Sequence, residues 1–197
     1  MSGLLLILPF IIGLLVGAFN LFSMAWLPNE FQSILIIILL FFIGVSVGSD
    51  EDSLENLKRI SLPSLLVPIS IMIGSVLGGG IGSFFVNRIS LGEGMSISAG
   101  LGYYSLSSVL IGQLRGEELG IMALIANIIR EVSTILLAPV LVFLFGEMSI
   151  IASGGATTSD TSLPVIQQYA GNRYTVIAIF NGIVLSLLVP LVVPLFL

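Results

Sequence analysis

The chain contains no cysteine and no histidine. The first absence excludes disulfides, thiolate metal sites and cysteine nucleophiles, and says nothing about redox compartment. The second removes the commonest proton-transfer base and the commonest zinc ligand. Charge is scarce as well: 9% of the 197 residues are charged, against about 25% in a soluble domain. With 56% hydrophobic residues and a mean hydropathy of +1.18, such a chain cannot solvate its surface in water. It reads as an integral membrane protein, one domain over residues 1–197. The net charge of −5 arises mostly in loops such as SDEDSLENLKR, and nothing is basic enough for nucleic acid. The amino terminus turns apolar almost at once, with no charged leader and no clear cleavage site before residue 30. It is expected to be a retained first span.

Spanning about 30 Å of hydrocarbon takes roughly 20 apolar residues as helix. Seven segments come close: residues 3–25, 33–48, 62–86, 94–114, 119–146, 148–170 and 174–197. The expected fold is all-α, a polytopic helical bundle. No alternating ten-residue pattern of the kind a barrel needs is present. The one markedly polar loop covers 49–61. Lysine and arginine set orientation. With seven crossings, Lys58, Arg59, Arg115 and Arg173 fall inside and Arg88 outside, which puts the amino terminus in and the carboxyl terminus out of the cytoplasmic membrane. If the fourth and sixth segments dip in and return, Arg115 moves outside and the count is three against two. In the third segment, Gly74, Gly78 and Gly82 line one helical face, suited to close helix packing or to an oligomer seam.

The fourth and sixth segments echo each other. MSISAGLGYYSLSS (95–108) and MSIIASGGATTSDT (148–161) align without gaps at an offset of 53, sharing Met, Ser, Ile, Ala and Gly. Each is followed by a long apolar stretch with a lone asparagine, Asn127 in one and Asn181 in the other. Their centres are poor helix in lipid, being rich in glycines and hydroxyls. Irregular backbone at membrane depth survives only where protein buries it or water wets it. Two such interruptions in corresponding positions point to a transporter binding site. Two crossing segments would make parallel units; two re-entrant hairpins would make inverted repeats whose tips meet near the midplane. The second arrangement suits alternating access and is the one expected here.

The fifth segment carries IREVS near its middle. Glu131 there costs about 2.5–3.5 kcal/mol to insert and must face protein or water. Asn127 and Thr134 share its face at helical spacing, whereas Arg130 points roughly 100° away. Glu131 suits a cationic substrate or a proton; the alternative is a structural tie to a buried donor. Arg130 is expected to neutralise Asp160 or to bind an anionic group. Asp160 is a second intramembrane acid, suited to ligand contact or to capping the helix that starts near Leu163.

Taken in order, LFFIGVSVGS, SAGLGYYSLSSVLI, ANIIREVSTILLAPVL, SGGATTSDTSLPVI and GIVLSLLVPLVVPLF resemble the bacterial and archaeal lysine exporter family LysO. The resemblance runs from about residue 33 to the carboxyl terminus. It implies export of L-lysine and close analogues across the cytoplasmic membrane, driven by a proton or sodium gradient. It also implies a functional glutamate in the block matching Glu131. Longer members carry additional amino-terminal spans with another intramembrane acid, for which Asp50 is a stand-in. A chain this short is expected to act as a homodimer or with a partner membrane subunit.

The substrate carries two ammonium groups and one carboxylate on a flexible stem. Glu131 would hold the substrate cation or the coupling ion in alternation. The G-Y-Y-S-L-S-S block offers Tyr103, Tyr104, Ser105 and Ser107, and the G-G-A-T block offers Gly155, Thr157, Thr158 and Asp160. Arg130, Asn181 and Asp50 are secondary candidates. No cofactor and no metal is expected. Two other roles fit the same features: an ion-coupled exchanger of another solute, or a non-transporting subunit of a two-chain carrier. A hydrolase does not, because no histidine and no lysine stands at membrane depth to activate a serine.

Overall fold

The computed structural model describes residues 65–197, together with Phe19, Ile34, Ile38, Phe41 and Val45. By internal contacts the chain divides into Met1–Val45 and Ser46–Leu197. In the first unit, Ile34, Ile38, Phe41 and Val45 are helical and exposed, at the spacing of one helix face. The span expected over 3–25, the polar loop 49–61 and Asp50 lie outside the described residues. All that follows concerns the second unit.

Every regular element described there is helical. The α-helices are α1 (Leu66–Ser83), α2 (Leu91–Ser98), α3 (Tyr104–Arg115), α4 (Glu117–Phe145), α5 (Met148–Gly154), α6 (Leu163–Tyr169) and α7 (Thr175–Val192). Short 3-10 turns follow α5 (Gly155–Ser159) and α7 (Val193–Phe196), and Asn172–Tyr174 precedes α7. Among the described residues, three stretches are long and apolar enough to cross a membrane, at Leu66–Ser83, Glu117–Phe145 and Asn172–Phe196. They fall on the segments expected over 62–86, 119–146 and 174–197.

α4 exposes Ile121, Ile125, Ile129, Val132, Leu136 and Phe143. An apolar face of that extent is unfavourable in water and comfortable in hydrocarbon.

The two segments expected to be broken are broken. In the first, α2 ends at Ala99 and the chain turns through Leu101 (φ 52°) and Gly102 (φ 92°) before α3 begins. In the second, α5 gives way to a 3-10 turn at Gly155 (φ 64°), and α6 resumes at Leu163. Both turn back toward the end from which they came. At the start of α2, Gly92 packs so closely on Phe196 that a Cβ would lie 2.5 Å from its carbonyl oxygen. At the end of α3, Arg115 donates to the carbonyl of Leu197. The 91–115 hairpin therefore has both ends beside the carboxyl terminus. The second hairpin closes in the same way, by the Glu147–Arg173 ion pair at 3.0 Å.

α4 separates the two hairpin mouths. It starts next to Arg115 and ends next to Glu147, and its 29 residues extend roughly 43 Å at 1.5 Å per residue. The hairpins thus enter from opposite ends of the bundle. Their tips meet where the Ala156 N–H donates to Leu101 O at 2.8 Å. The offset of 53 residues places Gly102 on Gly155, and both have positive φ. The sequence echo is an inverted structural repeat.

Glycines permit the close packing, though not at the stripe expected. A Cβ at Gly74, Gly78 or Gly82 would meet nothing within 4 Å. α1 instead approaches α2 through Gly79, whose carbonyl would lie 2.5 Å from a Cβ at Gly94. α3 lies along α4 with Gly120 against Ser108 O and Gly112.

Candidate functional site

Each hairpin tip is held by the asparagine of the long helix that follows it. Asn127 is 3% exposed and satisfies every group it has. Its Oδ1 accepts from Gly102 N–H at 2.8 Å, and its Nδ2 donates to Ile97 O and Ala123 O at 3.0 and 2.9 Å. Asn181 is fully buried, and its Nδ2 donates to Gly155 O at 2.9 Å and to Thr158 Oγ1 at 3.1 Å. Its Oδ1 has no partner. Gly102 and Gly155 are equivalent in the repeat, so the same residue type pins the same turn twice, once through N–H and once through C=O.

Hydroxyl groups in the tips are mostly spent on their own backbone. Ser107 Oγ reaches Tyr103 O at 2.9 Å. Thr157 Oγ1 lies 3.1 Å from Gly154 O and 2.7 Å from Ser162 Oγ. Thr158 Oγ1 sits 2.8 Å from both Gly155 O and Ala178 O. Together with Gly155, Asn127 and Asn181, these groups shape the tips and are covered by them. Tyr104 and Ser105 are exposed, and Tyr103 is half-buried within electrostatic range of Asp160.

Asp160 lies elsewhere than a helix cap or an ion pair would put it. Its side chain is exposed and accepts from its neighbour's Thr161 N–H at 2.6 Å. The cap of α6 is Ser162, without a side-chain capping bond. Arg130 does not neutralise Asp160, because its guanidinium points to the other hairpin arm. Nε donates to Ser153 O at 2.8 Å, Nη2 to Ala152 O at 3.1 Å and Nη1 to Ser75 Oγ at 2.9 Å. The two carbonyls belong to the last turn of α5, the negative end of that helix dipole. Thr134 Oγ1 joins them, 2.6 Å from Ser153 Oγ.

Glu131 is the middle residue of α4, equidistant from 117 and 145. One turn earlier Asn127 holds the first tip, and one residue earlier Arg130 holds the second hairpin. The carboxylate therefore stands at the depth where the tips meet, on the edge of the buried face formed by Ala123, Asn127, Thr134 and Ala138. It is half-buried, with no hydrogen-bond or ion-pair partner among the described residues.

Ser75, Ser153 and Ser162 complete these contacts and were not singled out from the sequence. A serine beside a glycine in an apolar helix, as at Gly74–Ser75, carries no signal of its partner. Asp50 lies outside the described residues. No group of three or more carboxylates that could hold a metal occurs among the described residues.

Apolar helices with uncovered faces and two opposed hairpins define an all-helical membrane protein. The chain belongs to the lysine exporter LysO family, whose model matches residues 7–197. It is similar to a candidate lysine exporter of Haemophilus influenzae, at 32% identity over 173 residues and 87% of each chain. It is similar also to the lysine exporter LysO of Escherichia coli, at 29% identity over 188 residues. That match covers 94% of this chain and 61% of the relative, so the chain spans about three fifths of that protein's length. No solved structure matches. Family and relatives are named for amino-acid export, which points to a transporter and not an enzyme.

Proposed function

We propose that this protein exports L-lysine and close analogues across the cytoplasmic membrane in exchange for a coupling cation, a proton or sodium. The observation that carries the reading is Glu131. Among the described residues, a carboxylate without a partner stands halfway along the longest helix, where two hairpins from opposite ends touch. Insertion of such a group costs about 2.5–3.5 kcal/mol, a cost that a structural residue would offset with a fixed partner. A transport carboxylate must instead be free to exchange one cation for another. Glu131 therefore holds a substrate ammonium in one state and the coupling ion in the other.

Asp160, exposed beside the second tip and within range of Tyr103, supplies the second negative charge for a dibasic substrate. Tyr104 and Ser105 are open to contact at the first tip. Alternating access then consists of one hairpin loosening from the other, first toward one face and then toward the opposite one. The carboxyl terminus lies outside on this reading, because Lys58, Arg59 and Arg173 outnumber Arg88 and Arg115. The working form is a homodimer or a complex with a partner membrane subunit, which would cover part of the open faces of α1 and α4.

Purified protein in vesicles loaded with lysine tests the role of Glu131. Efflux should fall at least tenfold in Glu131→Gln, which keeps size and removes charge. Equal efflux from the variant and the wild type would take Glu131 out of the mechanism.

A further inference from the structure

Among the described residues, Arg130 is the charge in the middle of a membrane helix to which lysine export, as proposed above, assigns no role. Its side chain is half-buried, and among the described residues no carboxylate pairs with it; the ion pair described there is Glu147–Arg173. A guanidinium has five N–H donors. Three are spent, on Ser153 O, Ser75 Oγ and Ala152 O. One N–H remains on each terminal nitrogen, and a carboxylate has two oxygens to accept one each. Helix-end carbonyls carry partial charge and balance a full cation only in part.

Space adjoins the partners of those two terminal nitrogens. A cavity of about 320 Å³ opens between α1 and α5, lined by Ser70, Ile71, Gly74, Ser75 and Ala152. Two of its lining residues, Ser75 and Ala152, are the partners of Nη1 and Nη2. Arg130 is not itself among the lining residues, so the cavity meets the guanidinium through those two partners. Its walls contain no carboxylate that would repel an anion.

We infer that Arg130 and this cavity form the subsite for the carboxylate of the transported amino acid. The inference rests on the export reading and deepens it. Adjacent residues on α4 then read opposite ends of the substrate, Glu131 an ammonium and Arg130 the carboxylate, with side chains about 100° apart around the helix. The subsite explains why a carrier with acids at its centre would choose an amino acid over a plain diamine.

The test compares lysine with 1,5-diaminopentane, the same stem and amines without the carboxylate, in vesicles containing the purified protein. Wild type should move lysine with at least tenfold higher kcat/KM than the diamine. Gly74→Leu puts a side chain into the cavity and leaves residue 130 unchanged, and a Cβ at Gly74 meets nothing within 4 Å. This variant should lose at least tenfold on lysine and stay within twofold on the diamine. Arg130→Gln should show the same collapse of preference. Equal transport of both compounds by wild type overturns the subsite and leaves lysine export standing, whether or not either variant folds. So does a Gly74→Leu variant that slows both compounds alike, or neither. Transport of neither compound by wild type removes the export reading and the subsite with it.

Discussion

Gly155 carries two constraints at once. Its φ of 64° is one that side chains rarely adopt, and a Cβ there would strike Leu101 O and lie 3.1 Å from Arg130 Nη2. Gly116 has only the first, with φ of 102° and open space around it. Backbone strain alone costs about 1–3 kcal/mol; forcing atoms into a filled space adds about 1–3 kcal/mol more. Gly155→Ala should therefore lower thermal stability in detergent clearly more than Gly116→Ala. Equal melting temperatures for the two variants would mean that the tips do not touch as described. At this scale the sequence was partly legible. Asn127 and Asn181 stood out as a pair because each follows an echoed block. Their partners did not, since Gly102 N–H and Gly155 O are backbone groups brought near only by the fold. The pairing of Arg130 with Asp160 failed for the same reason. Its position on the helix was clear, but the direction of its guanidinium depends on where Ser75 and the end of α5 lie.

The start of α2 is secured by a capping box. Ser90 Oγ accepts from Glu93 N–H at 3.3 Å, and Glu93 Oε2 accepts from Ser90 N–H at 2.7 Å. Glu93 precedes the apolar segment 94–114 and lies at the hairpin mouth. Its carboxyl is held below the ordinary 4.5 by the hydrogen bond from the Ser90 backbone, then by the Ser90 side chain, with Arg115 adding attraction. A value lowered in the folded state means that the ionised group stabilises the fold above pH 4.5 and loses that contribution as pH falls through the lowered value. Melting temperature should decline on acidification in wild type. The decline should be shallower in Glu93→Gln, which cannot titrate. Ser90→Ala should cost about 1 kcal/mol at neutral pH. Identical acid profiles for wild type and Glu93→Gln would remove the box as the cause.

Elements were the most legible level. Long apolar runs predicted α1, α4 and α7, and clusters of glycine and hydroxyl residues predicted both breaks. Hydropathy alone could not distinguish crossing from returning. Two arms of seven to twelve residues, joined by a small-residue turn, average to the length of one span. What decides is long-range contact, Gly92 with Phe196 and Arg115 with Leu197. The glycine stripe of α1 shows the converse. Its spacing is favourable for close approach, yet within the described chain the contact is made through Gly79 on a different face.

For the whole molecule, the central claim is geometric. Two hairpins enter from opposite faces, and their tips meet beside a carboxylate at the middle of α4. Proton or sodium exchange, the carboxylate subsite and alternating access all presuppose it. Because the natural chain is free of cysteine, single cysteines can be placed without background at positions 91, 115, 147 and 173 and probed in membrane vesicles with an impermeant thiol reagent. Positions 91 and 115 should react from one face and positions 147 and 173 from the other. If 91 and 115 react from opposite faces, the first hairpin is a crossing helix and the account is wrong.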